Sequence, residues 1–410
     1  MSDMLDVIRP TTEDEVRDVV ASALASSTVL DIVGGGTKRA LGRAVEPARR
    51  LEVSGLAGIS LYEPDELVLS AAAGTPLAEI EGQLANAGQE FAFEPPDWRA
   101  LLGAGDGEPT IGGTIACNLS GPRRIKAGAA RDHVLGVRVV SGRGEVFKSG
   151  GRVVKNVTGY DMSKLLAGSY GTLGVMTEIT LKVLPAADKI RTVLVVGLDD
   201  GSAVAALTRA LHSPNDVSAA AHLPAAAAAH SSVSYVRDAG SSVTAVRIEG
   251  SDASVAARCA AIKSDLGEFG EIDELHRHNS AVLWREIGSV ASFAGDQDRD
   301  VWRVSVPPAS GVGIAEAAGR EHDTLAFYDW GGGLVWLAVA SDHERAASTV
   351  RKAVGECGGH ATLVRAPASR RANIGVFQPQ SGPVAALSRR LKQGFDPNGI
   401  LNPGRLYDGM

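Results

Sequence analysis

The sequence has little cysteine. Its three cysteines, Cys117, Cys259 and Cys357, lie far apart. They form no CxxC or similar pattern, so no metal site is expected, and an odd count fits a reducing compartment better than a disulfide-stapled secreted fold. The same scarcity excludes an iron–sulfur cluster held by this chain. No apolar run reaches the length of a membrane span. The acidic start, MSDMLDVIRP, has no signal-peptide core. A cytoplasmic protein is expected, one that meets the inner face of a membrane only through a partner. Positive charge is also in short supply. A formal net charge of −7 argues against nucleic acid as the main partner. Aromatic residues make up only 5% of the chain, whereas glycine contributes 48 residues. That combination implies many tight turns and close backbone approaches.

The 410 residues can bury a large core and are expected to form two domains. Thr12 and Glu15 have capping-box spacing ahead of the periodic Val16, Val19, Val20, Ala23 and Leu24, which predicts a helix. TVLDIVGGG reads as a strand running into a glycine loop, and ELVLSAAAG as another strand. Thr75 and Pro76 then fit the cap and first turn of a helix carrying Leu77, Ile80 and Leu84 and ending at Gly88. Residues 89–130 are irregular and rich in Gly and Pro. VLGVRVV, SGRG and EVFKSG predict a hairpin, and TEITLKVLP a strand closed by Pro185. Beyond Pro185 the chain turns alanine-rich, with strands expected at TVLVVGL, SSVTAVRIEG, LAFYDW and LVWLAVA. No internal repeat is evident, and the last residues crowd Asp-Pro, Asn-Gly and Asn-Pro-Gly turns together.

Three glycine loops follow or connect apolar strands. They are Gly34-Gly35-Gly36-Thr37-Lys38, Pro109-Thr110-Ile111-Gly112-Gly113-Thr114, and the run from Gly168 through Gly171 and Thr172 to Gly174. Successive main-chain N–H groups in such loops can nest an anion. Each loop alone reads as a plain turn; three together point to a diphosphate-bearing cofactor. The local patterns match neither GxxxxGK[ST] nor GxGxxG: the last glycine of the latter falls on Arg39.

VGGGTK, PTIGGTIACNLSG, RDHVLGVRVVSGRGEV, KNVTGYDMSKLLAGSYGTLGVMTEITLKVLP and DPNGILNPGRLY together resemble the FAD-linked oxidases of the vanillyl-alcohol oxidase / p-cresol methylhydroxylase superfamily. Within it they are similar to the family of FAD-binding subunits of bacterial glycolate oxidases. LWREIGS, WRVSVPP, DWGGGLVWLAV and GHATLVRAP extend the likeness over nearly the whole chain. The resemblance implies an α+β fold with a two-part FAD-binding domain (residues 1–186), an α+β cap (187–385) and a C-terminal segment (386–410) returning to the FAD domain. It implies cofactor contacts from the three loops, together with Asn118, Gly121, Asp132, Val175, Ile179 and Asn402. The loop after the first glycines reads Thr37-Lys38-Arg39 and has no histidine, which implies noncovalent FAD. The HxGDGNxH cap motif of larger sister subunits and D-lactate dehydrogenases is absent. His276-Arg277-His278 is the nearest approximation and reads as a polar turn.

The implied activity is oxidation of a small 2-hydroxy acid, most simply glycolate to glyoxylate, with electrons passed to a second flavin subunit and an iron–sulfur subunit. A self-sufficient FAD oxidoreductase and a non-catalytic flavin-binding relay remain as alternatives. Such oxidation needs a cation for the carboxylate and a base for the hydroxyl proton. Arg303 and Arg365, each flanked by apolar residues, are the candidate cations, and His360 is the candidate base. Arg123, Arg131 and Lys155 are candidates for charge near the flavin, and Tyr160 and Asp161 for loop packing.

Overall fold

The computed structural model describes residues 6–46, 49–152, 159–340 and 343–410. Lys155, and with it the start of the Val153–Pro185 stretch, lies outside the described residues. Two separate groups of strands organise the chain. Up to residue 182, three short parallel strands lie in the spatial order Asp6–Ile8, Arg49–Glu52, Leu30–Val33. A five-stranded antiparallel sheet follows, in the order Ile59–Glu63, Val68–Ala72, Val175–Lys182, Val134–Val140, Val146–Gly150. From residue 189 to 365 the strands join one eight-stranded antiparallel sheet. TVLVVGL, SSVTAVRIEG, LAFYDW and LVWLAVA all fall on its strands.

Local chemistry sets the element boundaries. The helix Glu13–Ser26 buries Val16, Val20 and Ala23, with the Thr12 hydroxyl accepting from the Glu15 N–H at 3.2 Å. The Glu15 carboxylate reaches back one residue further than a capping box requires, to the Thr11 N–H at 2.6 Å. The second helix begins at Leu77, not Pro76. Thr75 does not cap it: its hydroxyl turns back to donate to the Ala72 carbonyl at 2.7 Å, which frees Pro76 to take the cap position. The SGRG hairpin pairs Val134–Val140 with Val146–Gly150, with Gly144 at φ +73° in the turn. The irregular 89–130 region holds three short helices, Arg99–Leu102, Ile111–Ala116 and Arg124–Ala127.

The C-terminal segment stitches the first group of strands together. After the helix Gly382–Phe395, Leu401 bridges Leu30 beside the parallel strands. Lys392 lies buried beneath this turn. Its ammonium donates to the Thr172 carbonyl (2.8 Å), the Leu401 carbonyl (2.7 Å) and the Asp396 carboxylate (2.6 Å). The same carboxylate receives the Ile400 and Leu401 N–H groups. Lys392→Met leaves a buried carboxylate without its cation, a change that costs about 3–5 kcal/mol. The expected outcome is a melting temperature lowered by several degrees together with loss of bound flavin, read by thermal melts and by the ratio of visible to protein absorbance.

The two strand groups meet through a buried charge lattice. The Arg123 guanidinium donates to Glu90 (2.6 Å) and Glu249 (2.8 and 3.1 Å), and Arg247 grips Glu94 with two bonds of 2.7 and 2.9 Å. Burial alone would lower the Arg123 pKa, but Glu94, Glu249 and Glu90 together outweigh it and raise it. Arg123 is therefore a structural cation fixed by three glutamates, not a charge held near a flavin.

The candidate flavin groove and its side pocket

A groove of about 720 Å³, open at its mouth, runs between the first two glycine loops and the C-terminal segment. From the sequence-derived set it gathers Gly34, Gly35, Gly36, Thr37, Lys38, Thr110, Gly112, Gly113, Gly171, Gly174 and Asn402. Asn402 links two of its walls: its Oδ1 accepts from the Ile32 N–H and its Nδ2 donates to the Tyr170 carbonyl, both at 2.8 Å. The N–H groups of Gly34 to Lys38 donate to no protein acceptor among the described residues. Five unspent donors in one turn suit the oxygens of a diphosphate. Lys38 lies alongside, its ammonium 3.2 Å from the Thr37 hydroxyl and held below its usual pKa by burial.

The glycines serve two different needs. A Cβ on Gly35 would lie 1.8 Å from the Glu108 carbonyl oxygen, and one on Gly34 would lie 2.3 Å from the Thr110 hydroxyl. A Cβ on Gly112 would meet the Ala73 carbonyl at 2.6 Å. Gly35 and Gly112 let main chain pack on main chain, and Gly34 makes room for the Thr110 side chain. Gly36, at φ +80°, and Gly113 are the ones that face open groove. Bare backbone is thus needed first to interlock the loops, and only at a few points to admit a ligand.

Several residues expected at the cofactor lie elsewhere. Ile111, Val175 and Ile179 are core residues whose side chains pack away from the groove. Thr114 is fully buried, its hydroxyl without a partner. Pro109 is spent on structure, its carbonyl accepting from the Leu77 N–H at 2.8 Å. Thr172 and Gly168 hold their loop in shape: the Thr172 hydroxyl donates to the Ser169 carbonyl, and the Gly168 N–H to Ile115. Gly121 packs against Glu94. Asp132 accepts from the Ala129 N–H at 2.9 Å and lies 3.7 Å from Arg131. Asp161 caps the helix Met162–Leu166, whereas Tyr160 is 91% exposed. His276 does have a carboxylate nearby, Glu274 at 3.6 Å, but Lys263 and Arg191 already hold it.

A second pocket of about 390 Å³ shares Cys117 and Tyr170 with the groove. Asn118, Leu119 and Ser120 form one side, and Arg303, Thr362 and Val364 of the eight-stranded sheet form the other. The run TIACNLS thus serves both spaces. It leaves the helix Ile111–Ala116 and turns at Asn118, which takes φ +48°. Tyr170, at φ +54° between Gly168 and Gly171, is the other shared wall. Burial raises the Tyr170 hydroxyl's pKa and pushes the Cys117 thiol up to about 11, so both stay protonated at neutral pH. The sequence reading missed these two residues. Their meeting depends on a long-range contact, the Tyr170 N–H donating to the Ala116 carbonyl at 2.9 Å, which no local pattern shows.

The three catalytic candidates part company. Arg303 lines the second pocket. Among the described residues its guanidinium meets no hydrogen-bond acceptor and no carboxylate, only the Trp330 ring at 4.9 Å. Burial, then the neighbouring Arg124, lowers its pKa to about 10. Arg303 pairs with Thr362 and Ser305 with His360, so His360 shares Arg303's sheet face. Desolvation first, then the fields of Arg303 and Arg124, holds the His360 imidazole below its usual pKa and keeps it neutral. Arg365 has a different role. It is buried and donates to the carbonyls of Leu101 (3.4 Å), Phe293 (2.8 Å), Arg299 (3.2 Å) and Asp296. A guanidinium committed to four carbonyls cannot also take a substrate carboxylate, so Arg365 is a structural clamp.

Asp329 lies buried behind the pocket, accepting from the Trp330 N–H at 2.7 Å. Burial raises its pKa to about 7. As pH rises from about 4, an unfolded carboxyl loses its proton before the folded one does, so stability falls until about pH 7 and then levels. Asp329→Asn keeps the acceptor and removes the titration. The variant's melting temperature is expected to change less than the wild type's between pH 5 and 8. The difference amounts to about 2–4 kcal/mol.

The fold and groove define an FAD-linked oxidase of the p-cresol methylhydroxylase type. The family model "FAD binding domain" matches residues 5–150, and "FAD linked oxidases, C-terminal domain" matches residues 379–406. The glycolate oxidase subunit GlcE of Escherichia coli K12 is 34% identical over 390 residues, covering 95% of each chain. D-2-hydroxyglutarate dehydrogenase of Xanthomonas citri is 26% identical, covering 98% of this chain and 89% of the relative. Among solved structures, p-cresol methylhydroxylase superposes with a TM-score of 0.74 at 15% identity, over 98% of this chain and 88% of that one. The chain belongs to the FAD-linked oxidase family that contains GlcE. It is an FAD-dependent oxidoreductase acting on CH–OH groups. Among the described residues no helix is long and apolar enough to cross a membrane.

Proposed function

We propose that this chain is the FAD-binding subunit of a multi-subunit 2-hydroxy-acid dehydrogenase whose substrate is glycolate. The observation that carries this reading is Arg303, a half-buried cation without a counter-ion among the described residues, on a pocket that shares two walls with the flavin groove. FAD, when bound, supplies the two-electron acceptor. Gly34 to Lys38 hold its diphosphate, Gly113, Gly171 and Asn402 line its path, and the loop without histidine leaves it noncovalent. Arg303 takes the substrate carboxylate, and His360, on the same sheet face and kept neutral by desolvation and then by Arg303 and Arg124, takes the hydroxyl proton. Residues 1–186 act as the flavin domain, 187–385 as the cap, and 386–410 as the strap that returns to the groove. A second flavin subunit and an iron–sulfur subunit receive the electrons, and any membrane contact runs through them at the inner face.

The test is anaerobic turnover of glycolate with an artificial acceptor, by the isolated chain and by the native complex. Activity confined to the complex, with flavin and iron both present, supports the proposal. Full turnover by the isolated chain, or a flavin never reduced by glycolate in the complex, contradicts it.

A further inference from the structure

Arg124 was not singled out from the sequence, yet it reaches the same ring as Arg303. Its guanidinium carbon lies 4.4 Å from the Trp330 centroid, and that of Arg303 lies 4.9 Å away. The two cations come from different parts of the fold: Arg124 from the short helix Arg124–Ala127, Arg303 from the strand Arg299–Ser305; Arg303 lines the pocket, and Arg124 joins it only through the Trp330 ring. Trp330 is itself fixed in place. Its indole N–H donates to the Gly121 carbonyl at 3.3 Å, and its main-chain N–H to Asp329.

Like charges gathered at one ring repel, and elsewhere this protein pairs its buried cations. Arg123 and Arg247 hold glutamates, and Arg365 and Arg371 hold carbonyls. Arg124 and Arg303, both half-buried, hold neither among the described residues. The acids nearby are otherwise engaged. Asp132 is taken by the Ala129 N–H and Arg131, and Asp329 caps Trp330 without bonding either guanidinium. A ring face satisfies a guanidinium only in part and leaves its N–H edge free for an anion. The pocket beside Arg303 is small, with apolar walls at Trp98, Leu119 and Val364 and polar groups at Asn118 and Thr362. That lining suits a small organic acid; the groove next door takes the diphosphate.

We propose that Arg124 and Arg303, both seated on Trp330, form a single two-arginine site for the carboxylate of a small organic acid. The location rests on the functional reading above; the carboxylate grip does not depend on turnover. Arg124 then selects free acids over their esters.

Oxalate, a carboxylate that offers no C–H to oxidise, is the probe. It is titrated into the FAD-loaded protein and followed by the visible flavin spectrum and by thermal shift. Arg124→Met is expected to weaken oxalate binding at least tenfold at unchanged FAD content, with Arg124→Lys recovering part of the loss. In the complex, Arg124→Met should raise KM for glycolate by a similar factor and reduce the preference for glycolate over methyl glycolate. Should Arg124→Met fail to hold FAD, Arg124→Lys and Arg124→Gln decide, by the same oxalate ratio. Oxalate binding within twofold of wild type in FAD-loaded Arg124 variants overturns the site, as does wild-type protein that shows no saturable response. If oxalate binds in an Arg124-dependent way but no 2-hydroxy acid reduces the flavin in the complex, the site stands and the hydroxy-acid reading fails. If glycolate is oxidised with unchanged KM in Arg124→Met, the reading stands and the site fails.

Discussion

Gly113→Leu is expected to give a folded, colourless protein. A Cβ at residue 113 meets nothing closer than the Thr110 hydroxyl at 3.3 Å and the Lys38 Cδ at 3.8 Å, and Gly113 is not among the residues with positive φ. Leucine is also a far better helix former than glycine, by roughly 0.8 kcal/mol. The substitution asks only a few tenths of an ångström of the Thr110 hydroxyl, and the new side chain is expected to project into the groove. FAD content should fall at least tenfold, with circular dichroism unchanged and the melting temperature within a few degrees of that of wild-type protein stripped of flavin. Gly35→Ala makes the contrast. Its Cβ lies 1.8 Å from the Glu108 carbonyl oxygen, so the two loops must part and both stability and flavin are lost. A Gly113→Leu protein that keeps a full complement of FAD would place the cofactor elsewhere.

Arg303→Met is expected to lower kcat/KM for glycolate by about 10²–10³ in the assembled complex. That corresponds to losing about 3–4 kcal/mol of charge-assisted hydrogen bonding in the transition state. Because Arg303 bonds no protein group among the described residues, the variant should keep its FAD and lose no stability. Arg303→Lys should recover only part of the rate, since an ammonium lacks the fork that meets both carboxylate oxygens. The comparison with Arg365→Met is informative. Removing Arg365 orphans four carbonyls, so that variant should melt several degrees lower. A rate loss without instability marks a substrate residue, whereas instability marks a clamp.

These two arginines also show how far a sequence can be read. WRVSVPP and TLVRAP look alike, an arginine among apolar residues on a strand, and either suits an interior cation. What separates them is the partner, and the partners of Arg365 are main-chain carbonyls from other segments, such as Leu101 and Phe293, that no local pattern reveals. Arg124 escaped notice for the same reason: it sits in an irregular stretch and its ring comes from the far side of the fold. Periodic features were legible because they depend on neighbours in sequence. The Thr12-capped helix, the SGRG hairpin and the strands of the eight-stranded sheet follow from local spacing alone. The three loops were visible as glycine runs, but the division of labour among those glycines was not. Gly34, Gly35 and Gly112 are glycine because another loop's atoms press against them. Asn402, whose Oδ1 accepts a hydrogen bond from an N–H 370 residues away, entered only through resemblance. Val175 and Ile179 are buried in two different cores, one beside the parallel strands and one beneath the five-stranded sheet, a division that the alternating segment does not reveal.

Amide hydrogen exchange across residues 34–38, measured with and without FAD, tests the central claim most directly. Five N–H groups that bond no acceptor among the described residues should exchange freely in the stripped chain. They should slow at least tenfold once the cofactor's diphosphate accepts from them. If FAD binds stoichiometrically and this segment exchanges at the same rate in both states, the groove described here does not hold the diphosphate.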